Sequence, residues 1–252
     1  MRLSKRDTGL VLLCIFVASL TSIATMPAAW LMHLIPENGL ARMTSASGSI
    51  WSGRAVVNVG QRGFEVTLPD TLSWEIQLNP LPRLVLSHAW LSGPITITPT
   101  WSGMEISGQT VTLPASLLGS LDARVAAFGP SGQIAASWPS ISIGPASPRA
   151  GSEILTISWQ HISSALAHVK PLGSYRTTIS FNEKGGADLL LGTAQGPLLI
   201  EGSGQLDKSH NLSLNATLRI EPGAAESTRS GLNALLATIG PSRNGITALR
   251  YP

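Results

Sequence analysis

Hydrophobic and polar positions follow three rhythms along this chain. The first is unbroken. Thr8 to Met32 reads TGLVLLCIFVASLTSIATMPAAWLM, twenty-five residues without Asp, Glu, Lys, Arg or His. As a helix it would be roughly 37 Å long, enough to cross a hydrocarbon core of about 30 Å. The second rhythm has period two, as in a half-buried strand. It is cleanest at Leu72–Leu78, where Leu72, Trp74, Ile76 and Leu78 face one way and Ser73, Glu75 and Gln77 the other. Asn211–Ile220 repeats it over ten residues. Further strands are expected at 55–59, 64–68, 84–90, 95–98, 104–107, 111–113, 154–159, 175–181, 187–191 and 198–200. Segments 122–128 and 134–138 read as a hairpin around Gly129-Pro130-Ser131-Gly132. The third rhythm is helical: Leu232, Leu235, Leu236 and Ile239, with Ser230 as N-cap and Gly240 as stop. Short helices are expected at 115–118, opened by Pro114, and at 162–169, closed by Pro171.

The fold class that follows is mainly β. A single N-terminal transmembrane helix leads into an extended, curved antiparallel sheet domain with a few short helices. The boundaries expected are a basic N-terminus at 1–7, a signal-anchor at 8–32, a polar neck at 33–47 and a β-rich domain at 48–252. The strongest linker signal is Gly144–Gly151, GPASPRAG, which suggests halves at 48–144 and 152–252. A faint echo supports two similar halves. Trp51-Ser52-Gly53 recurs as Trp101-Ser102-Gly103, Leu118-Gly119-Ser120 as Leu172-Gly173-Ser174, and Leu72-Ser73-Trp74 resembles Ile157-Ser158-Trp159.

Charge gives the apolar run an orientation. Arg2, Lys5 and Arg6 precede it, offset by Asp7. Positive charge stays cytoplasmic, so the N-terminus is expected inside and the bulk of the chain outside, in a non-cytoplasmic compartment. A cleaved secretory signal is the other reading, with Ser22-Ile23-Ala24 or Met26-Pro27-Ala28 as weak cleavage sites. The length of the run, which continues through Trp30 and Met32, favours a retained single-pass anchor.

The net charge is only +3, and the first seven residues hold two of those charges. No Lys/Arg patch remains to neutralise phosphates, so no nucleic acid is expected as a partner. The one cysteine, Cys14, lies inside the apolar run, leaving the remainder without disulfide or thiol chemistry. With 43% hydrophobic and 12% charged residues the chain has the composition of a folded protein.

Motifs for catalysis are absent: no HExxH, CxxC, GxSxG, SxxK or Walker loop occurs. Gly202-Ser203-Gly204 lacks the third glycine and following helix of a dinucleotide site. His161 and His168 have no nearby third ligand for a metal. Asn211 and Asn215 begin glycosylation-type triplets, but they fit better as the polar face of a strand. We expect no enzyme, no cofactor, no metal and no small-molecule substrate. Six tryptophans outside the anchor (Trp51, Trp74, Trp90, Trp101, Trp138 and Trp159) fit core positions between strands, or an apolar groove for lipid.

The order of several short motifs resembles the type II secretion system protein N family. These are the basic start, the run ending near Met26-Pro27-Ala28, Gly48-Ser49-Ile50-Trp51-Ser52-Gly53, Leu72-Ser73-Trp74 with Leu78 and Pro80-Leu81, Pro171-Leu172-Gly173-Ser174-Tyr175-Arg176, and the helix at 232–240. The usual Gly-Thr before the first Trp is Gly48-Ser49 here. The resemblance implies an accessory inner-membrane component that supports export of folded proteins across the outer membrane. Its implied partners are other type II secretion components, in the inner-membrane platform or the secretin. Gly48, Trp51, Gly53, Trp74 and Tyr175 are then expected to shape turns and core, with Tyr175 and Arg176 also as interface candidates. The alternative is an anchored, periplasmic lipid-handling β protein. The two differ at the apolar face of the sheet, which is filled by its own side chains in the first and an open trough in the second.

Overall fold

Alternating apolar and polar residues build two antiparallel sheets in a computed structural model that describes residues 5–33, 39, 41–61, 63–144, 149–209, 211–243 and 245–251. The chain opens with helix α1 (Lys5–Ala24) and a 3-10 turn at Ala28–His33. Strands β1 (Ala41–Gly48), β2 (Ser52–Val59), β3 (Val66–Thr67), β4 (Leu72–Gln77), β5 (Arg83–Ser87), β6 (Ile95–Thr100), β7 (Gly103–Ile106) and β8 (Gln109–Pro114) follow. A 3-10 turn at Ala115–Ser120 and the short helix α2 (Ala123–Phe128) precede β9 (Ser131–Trp138), β10 (Ile141–Ile143) and β11 (Glu153–Ser163). Then come β12 (Gly173–Phe181), β13 (Ala187–Gln195), β14 (Leu198–Leu206), β15 (Leu212–Ile220), helix α3 (Glu226–Ile239), β16 (Ser242–Arg243) and β17 (Ile246–Tyr251).

The first sheet has the order β1-β2-β4-β5-β6-β7-β10, with β3 beside β2. The second has the order β16-β17-β15-β14-β13-β12-β11-β9-β8. The mainly β, antiparallel architecture with few short helices is therefore present. The two sheets meet where the loop before β6 caps the outer edge of β8: Thr112 N donates to Trp90 O at 2.8 Å and Ser92 N to Thr110 O at 2.9 Å.

Several boundaries differ from the sequence reading. The helix stops at Ala24, so the apolar residues after it do not extend the same helix to Met32. Part of the expected neck, Ala41–Gly48, is the first strand, and residues 34–38 and 40 lie outside the described residues. Residues 123–128 are helical rather than the first arm of a hairpin, with Ala126 N bonded to Asp122 O at 3.0 Å. Three alanines in six residues favour that outcome. Residues 164–169 turn without forming a helix, because β11 runs on to Ser163. The sheets also do not divide at the Gly144–Gly151 segment, of which 145–148 lie outside the described residues. The β8–β9 hairpin joins the second sheet and β10 returns to the first. Among the described residues no helix is long and apolar enough to cross a membrane, so the spanning helix rests on the sequence pattern.

Each sheet buries its apolar face at one patch. On the second, Leu232, Leu235 and Leu236 of α3 pack with Leu198, Leu218, Leu172 and Ala167. On the first, Ala28 from the 3-10 turn packs with Ala55 and Trp74, flanked by Leu31, Met43, Leu84 and Leu86. Elsewhere the apolar positions of the strands are mostly half-buried. The accessible surface is 16526 Å², against about 10,600 Å² for a compact chain of this length. The sheets thus lie open over much of their area.

Candidate functional site: the joint between helix and sheet

Four of the residues singled out from the sequence, Gly48, Trp51, Gly53 and Trp74, come together at the turn between β1 and β2. Gly48 and Gly53 are register partners that close the hairpin. Gly48 has φ of 95°, a left-handed conformation that a side chain resists, and a Cβ there would lie 2.6 Å from Ser52 O. Within the turn, Ser49 Oγ accepts from the backbone N–H groups of Trp51 and Ser52, each at 3.2 Å. Ser49 N donates to Ser52 O at 2.9 Å. These bonds satisfy the turn internally and aim Trp51 outward.

Trp51 faces the end of α1. Its indole Nε1–H donates to Ile23 O at 3.1 Å. Ile50 N donates to Met26 O at 3.0 Å, and Pro27 forms a β-bridge with Ser49. The last carbonyls of a helix have no partner within it; here the Ile23 carbonyl meets the Trp51 indole. On the other side the turn is tied into the sheet. Trp74 Nε1 donates to Ile50 O at 3.2 Å, and Ile76 N donates to Trp51 O at 2.6 Å. Gly53 leaves room for the Trp74 ring: a Cβ at that position would lie 2.5 Å from Trp74 Cζ2 and 2.6 Å from Ser47 O. Trp74 itself is buried, 6% exposed, beside Ala28 and Ala55.

The arrangement is a mechanical joint. The helix end, the turn Ala28–His33 and the first sheet are held by backbone and indole hydrogen bonds around a small apolar core. The sequence reading found Gly48, Trp51, Gly53 and Trp74 but missed their partners, Ile23, Met26 and Ala28. Those partners act through backbone atoms or a methyl group, and the one available signal was the small residues after Pro27.

Tyr175 and Arg176 lie on the second sheet, apart from the joint. Tyr175 is buried, and its hydroxyl donates to Leu198 O at 3.0 Å with Leu172 O also near at 3.3 Å. Burial pushes the phenol well above its ordinary range, so it stays a neutral donor. Its neighbour Arg176 points to the opposite face and is exposed. Tyr175 therefore locks the loop before β12 to the start of β14, and its ring is not available at the surface.

The grooves of the two sheets lie on their polar faces. One of about 480 Å³ on the first sheet is lined by Ser47, Arg54, Ser73, Glu75 and Ser87. One of about 540 Å³ on the second is lined by Thr178, Ser180, Asp188, Ser203, Gln205 and Asn215. Both have mixed polar and apolar linings. A third, of about 590 Å³ on the second sheet, is more apolar, with Leu190, Leu191 and Ala194 beside Arg176, Thr178 and Glu201. Among the described residues no three His, Cys, Asp or Glu side chains gather where a metal could sit.

Compared with known proteins, the chain matches the family model described as "Type II secretion system (T2SS), protein N" over residues 25–250. No curated protein and no solved structure matches it.

Proposed function

The chain belongs to the type II secretion system protein N family, and from that premise we propose that it is an inner-membrane-anchored accessory subunit whose β domain faces the periplasm. Type II secretion is the family's process. The membrane location and the mode of action are our reading. In it, the basic N-terminus stays in the cytoplasm and α1 with its flanking apolar residues crosses the bilayer. The joint then passes the position of the anchor to the sheets. Contacts with other secretion components are made within the membrane by the anchor and outside it by open strand edges such as β1.

The observation that carries this reading is the bonding of the helix end to the Gly48–Gly53 turn. From Leu12 to Ile23 the large apolar side chains of α1 are all more than half exposed, so the helix carries an apolar surface that the rest of the chain leaves uncovered. Cleavage after Ala28 fits less well, since it would remove Met26, Pro27 and Ala28, which the first sheet holds, and cleavage after Ala24 would remove the Ile23 carbonyl that Trp51 bonds. The lipid-handling alternative would need an enclosed apolar trough; the most apolar groove described above, at Leu190, Leu191 and Ala194, is an open one that also carries Arg176 and Glu201.

Two experiments test the proposal. In alkaline carbonate extraction the full chain stays in the membrane pellet; a soluble, shortened form would contradict the anchor. Tagged full-length protein, extracted in mild detergent, brings down other secretion subunits over an unrelated single-pass control. Recovery of a defined lipid without such subunits would contradict the assembly reading.

A further inference from the structure

The tripeptide Trp-Ser-Gly occurs twice, and both copies lie in hairpin turns at the same end of the first sheet. Trp51-Ser52-Gly53 enters β2 and Trp101-Ser102-Gly103 enters β7. The register fixes their relation. Trp51 precedes the paired residues Gly53↔Trp74, and the row then runs Ile76↔Leu84↔Ile97↔Ile106. Following β6 from Ile97 toward Trp101, and β4 from Ile76 toward Leu78, leads in the same direction as following β2 back toward α1. The turns at 48–53, 78–82 and 100–103 therefore share one end of the sheet, within a few residues of one another along the strand direction, roughly 10 Å.

The two tryptophans differ in what covers them. Trp51 is fastened to Ile23 of α1. Among the described residues nothing covers Trp101, which is 108% exposed. Leu78 and Leu81, in the turn between, are 64% and 63% exposed. Ile143 and Met104, paired beside the Trp101 turn, are also exposed. The tips Leu78-Asn79-Pro80-Leu81-Pro82 and Thr100-Trp101-Ser102 contain no charged residue. Arg83, directly after Pro82, is the flanking charge on this side; at the opposite end, the segment from β2 to β4 carries Glu65 and Asp70 beside the exposed Phe64 and Val66. An uncharged rim of large apolar tips, with a fully exposed tryptophan, matches the interfacial zone of a bilayer, where Trp is enriched.

We infer that Leu78, Leu81 and Trp101 form a second membrane contact, a rim that seats the first sheet on the outer surface of the same bilayer that holds α1. The inference rests on the anchor reading. The occupant is the phospholipid headgroup and upper acyl region, because the rim lies at the end of the sheet where the 48–53 turn is bonded to the end of α1. Anchor and rim together hold the sheet upright at a fixed height, where a single flexible tether would let it swing.

Single-cysteine versions of the full chain test this in phosphatidylethanolamine–phosphatidylglycerol vesicles. Cys14, exposed on α1, provides one position. On a Cys14→Ser background, Asn79→Cys and Ser102→Cys probe the rim, and Asp70→Cys probes the opposite end. Each carries an environment-sensitive fluorophore, and the lipid carries a quencher near the headgroup. We expect about twofold or greater quenching at positions 14, 79 and 102, with the rim labels at a depth of about 5–10 Å, and none at 70. Quenching at 14 with none at 79 or 102 would overturn the rim while leaving the anchor standing. Absence of quenching at 14 would overturn the anchor reading and with it the orientation on which the rim depends. Rim labels shielded from water yet not quenched by lipid would mark a protein-binding surface and also overturn the inference.

Discussion

The first sheet is covered by a six-residue turn, Ala28–His33, and the second by a fourteen-residue helix, Glu226–Ile239. The second core is self-contained. Three leucines of α3 close over Leu198 and Leu218, with Leu232 at 0% exposure, and no hydrogen bond between side chains is needed to hold it. The first core is smaller, built from Ala28, Ala55 and Trp74, and is surrounded by bonds that reach to α1. One region is fastened chiefly by packing, with the Tyr175 hydroxyl bonded at its edge. The other gives up packing area for a directed connection. On the proposed reading, the second sheet supplies stability and the first passes on the position of the anchor.

Substitutions can break the comparison at either end. The largest effect is expected at Trp74→Ala, which removes the one large ring of the first core and should cost about 3–5 kcal/mol. Denaturant unfolding with hydrogen exchange should show faster exchange across β2, β4 and β5 and little change in β14 and β15. Equal loss in both sheets would show that they unfold as one unit. Leu232→Ala should cost about 2–5 kcal/mol through the cavity under α3. Its exchange pattern should be the reverse, with the joint unaffected.

A smaller effect is expected at Tyr175→Phe. Removing the hydroxyl leaves the Leu198 carbonyl without this donor and should cost about 1–2 kcal/mol in thermal or denaturant unfolding. The sign of its pH dependence follows from burial. The folded phenol has a raised pKa, while the unfolded one ionises near its ordinary value of about 10. Its stabilising contribution is therefore complete below about pH 10 and falls as the pH rises beyond that. The substitution should flatten this alkaline loss. An unchanged alkaline slope would mean that the phenol is solvated in the folded state.

Much of the fold was legible in the alternation. Leu72–Leu78 and Asn211–Ile220 are strands β4 and β15, the latter with Ala216 and Leu218 buried and Thr217 and Arg219 exposed. The α3 leucines were legible from their spacing, although the helix starts four residues before the expected cap, at Glu226. β1 was not legible, because Ala-Arg-Met-Thr-Ser-Ala-Ser-Gly has no large alternating side chains and takes its conformation from pairing with β2. The membership of β8 and β9 in the second sheet was hidden for a similar reason. Sheet order is decided by long-range pairing, which a local pattern does not encode. Half of the joint was readable as conspicuous Trp and Gly residues. The other half is carbonyl oxygen at Ile23 and Met26, which every residue carries.

The central claim is that the helix end and the first sheet move as one body through the Gly48–Gly53 turn. Hydrogen exchange at the Ile50 amide of full-length protein in vesicles tests it most directly, because that N–H donates to Met26 O across the joint. The Ile50 amide is expected to be protected in the native chain. Trp51→Phe, which keeps a ring but removes the indole donor, should speed its exchange roughly fivefold, the equivalent of about 1 kcal/mol. Leu86 in β5 should be unchanged. An Ile50 amide that exchanges as freely as an open turn in the native protein would contradict the joint.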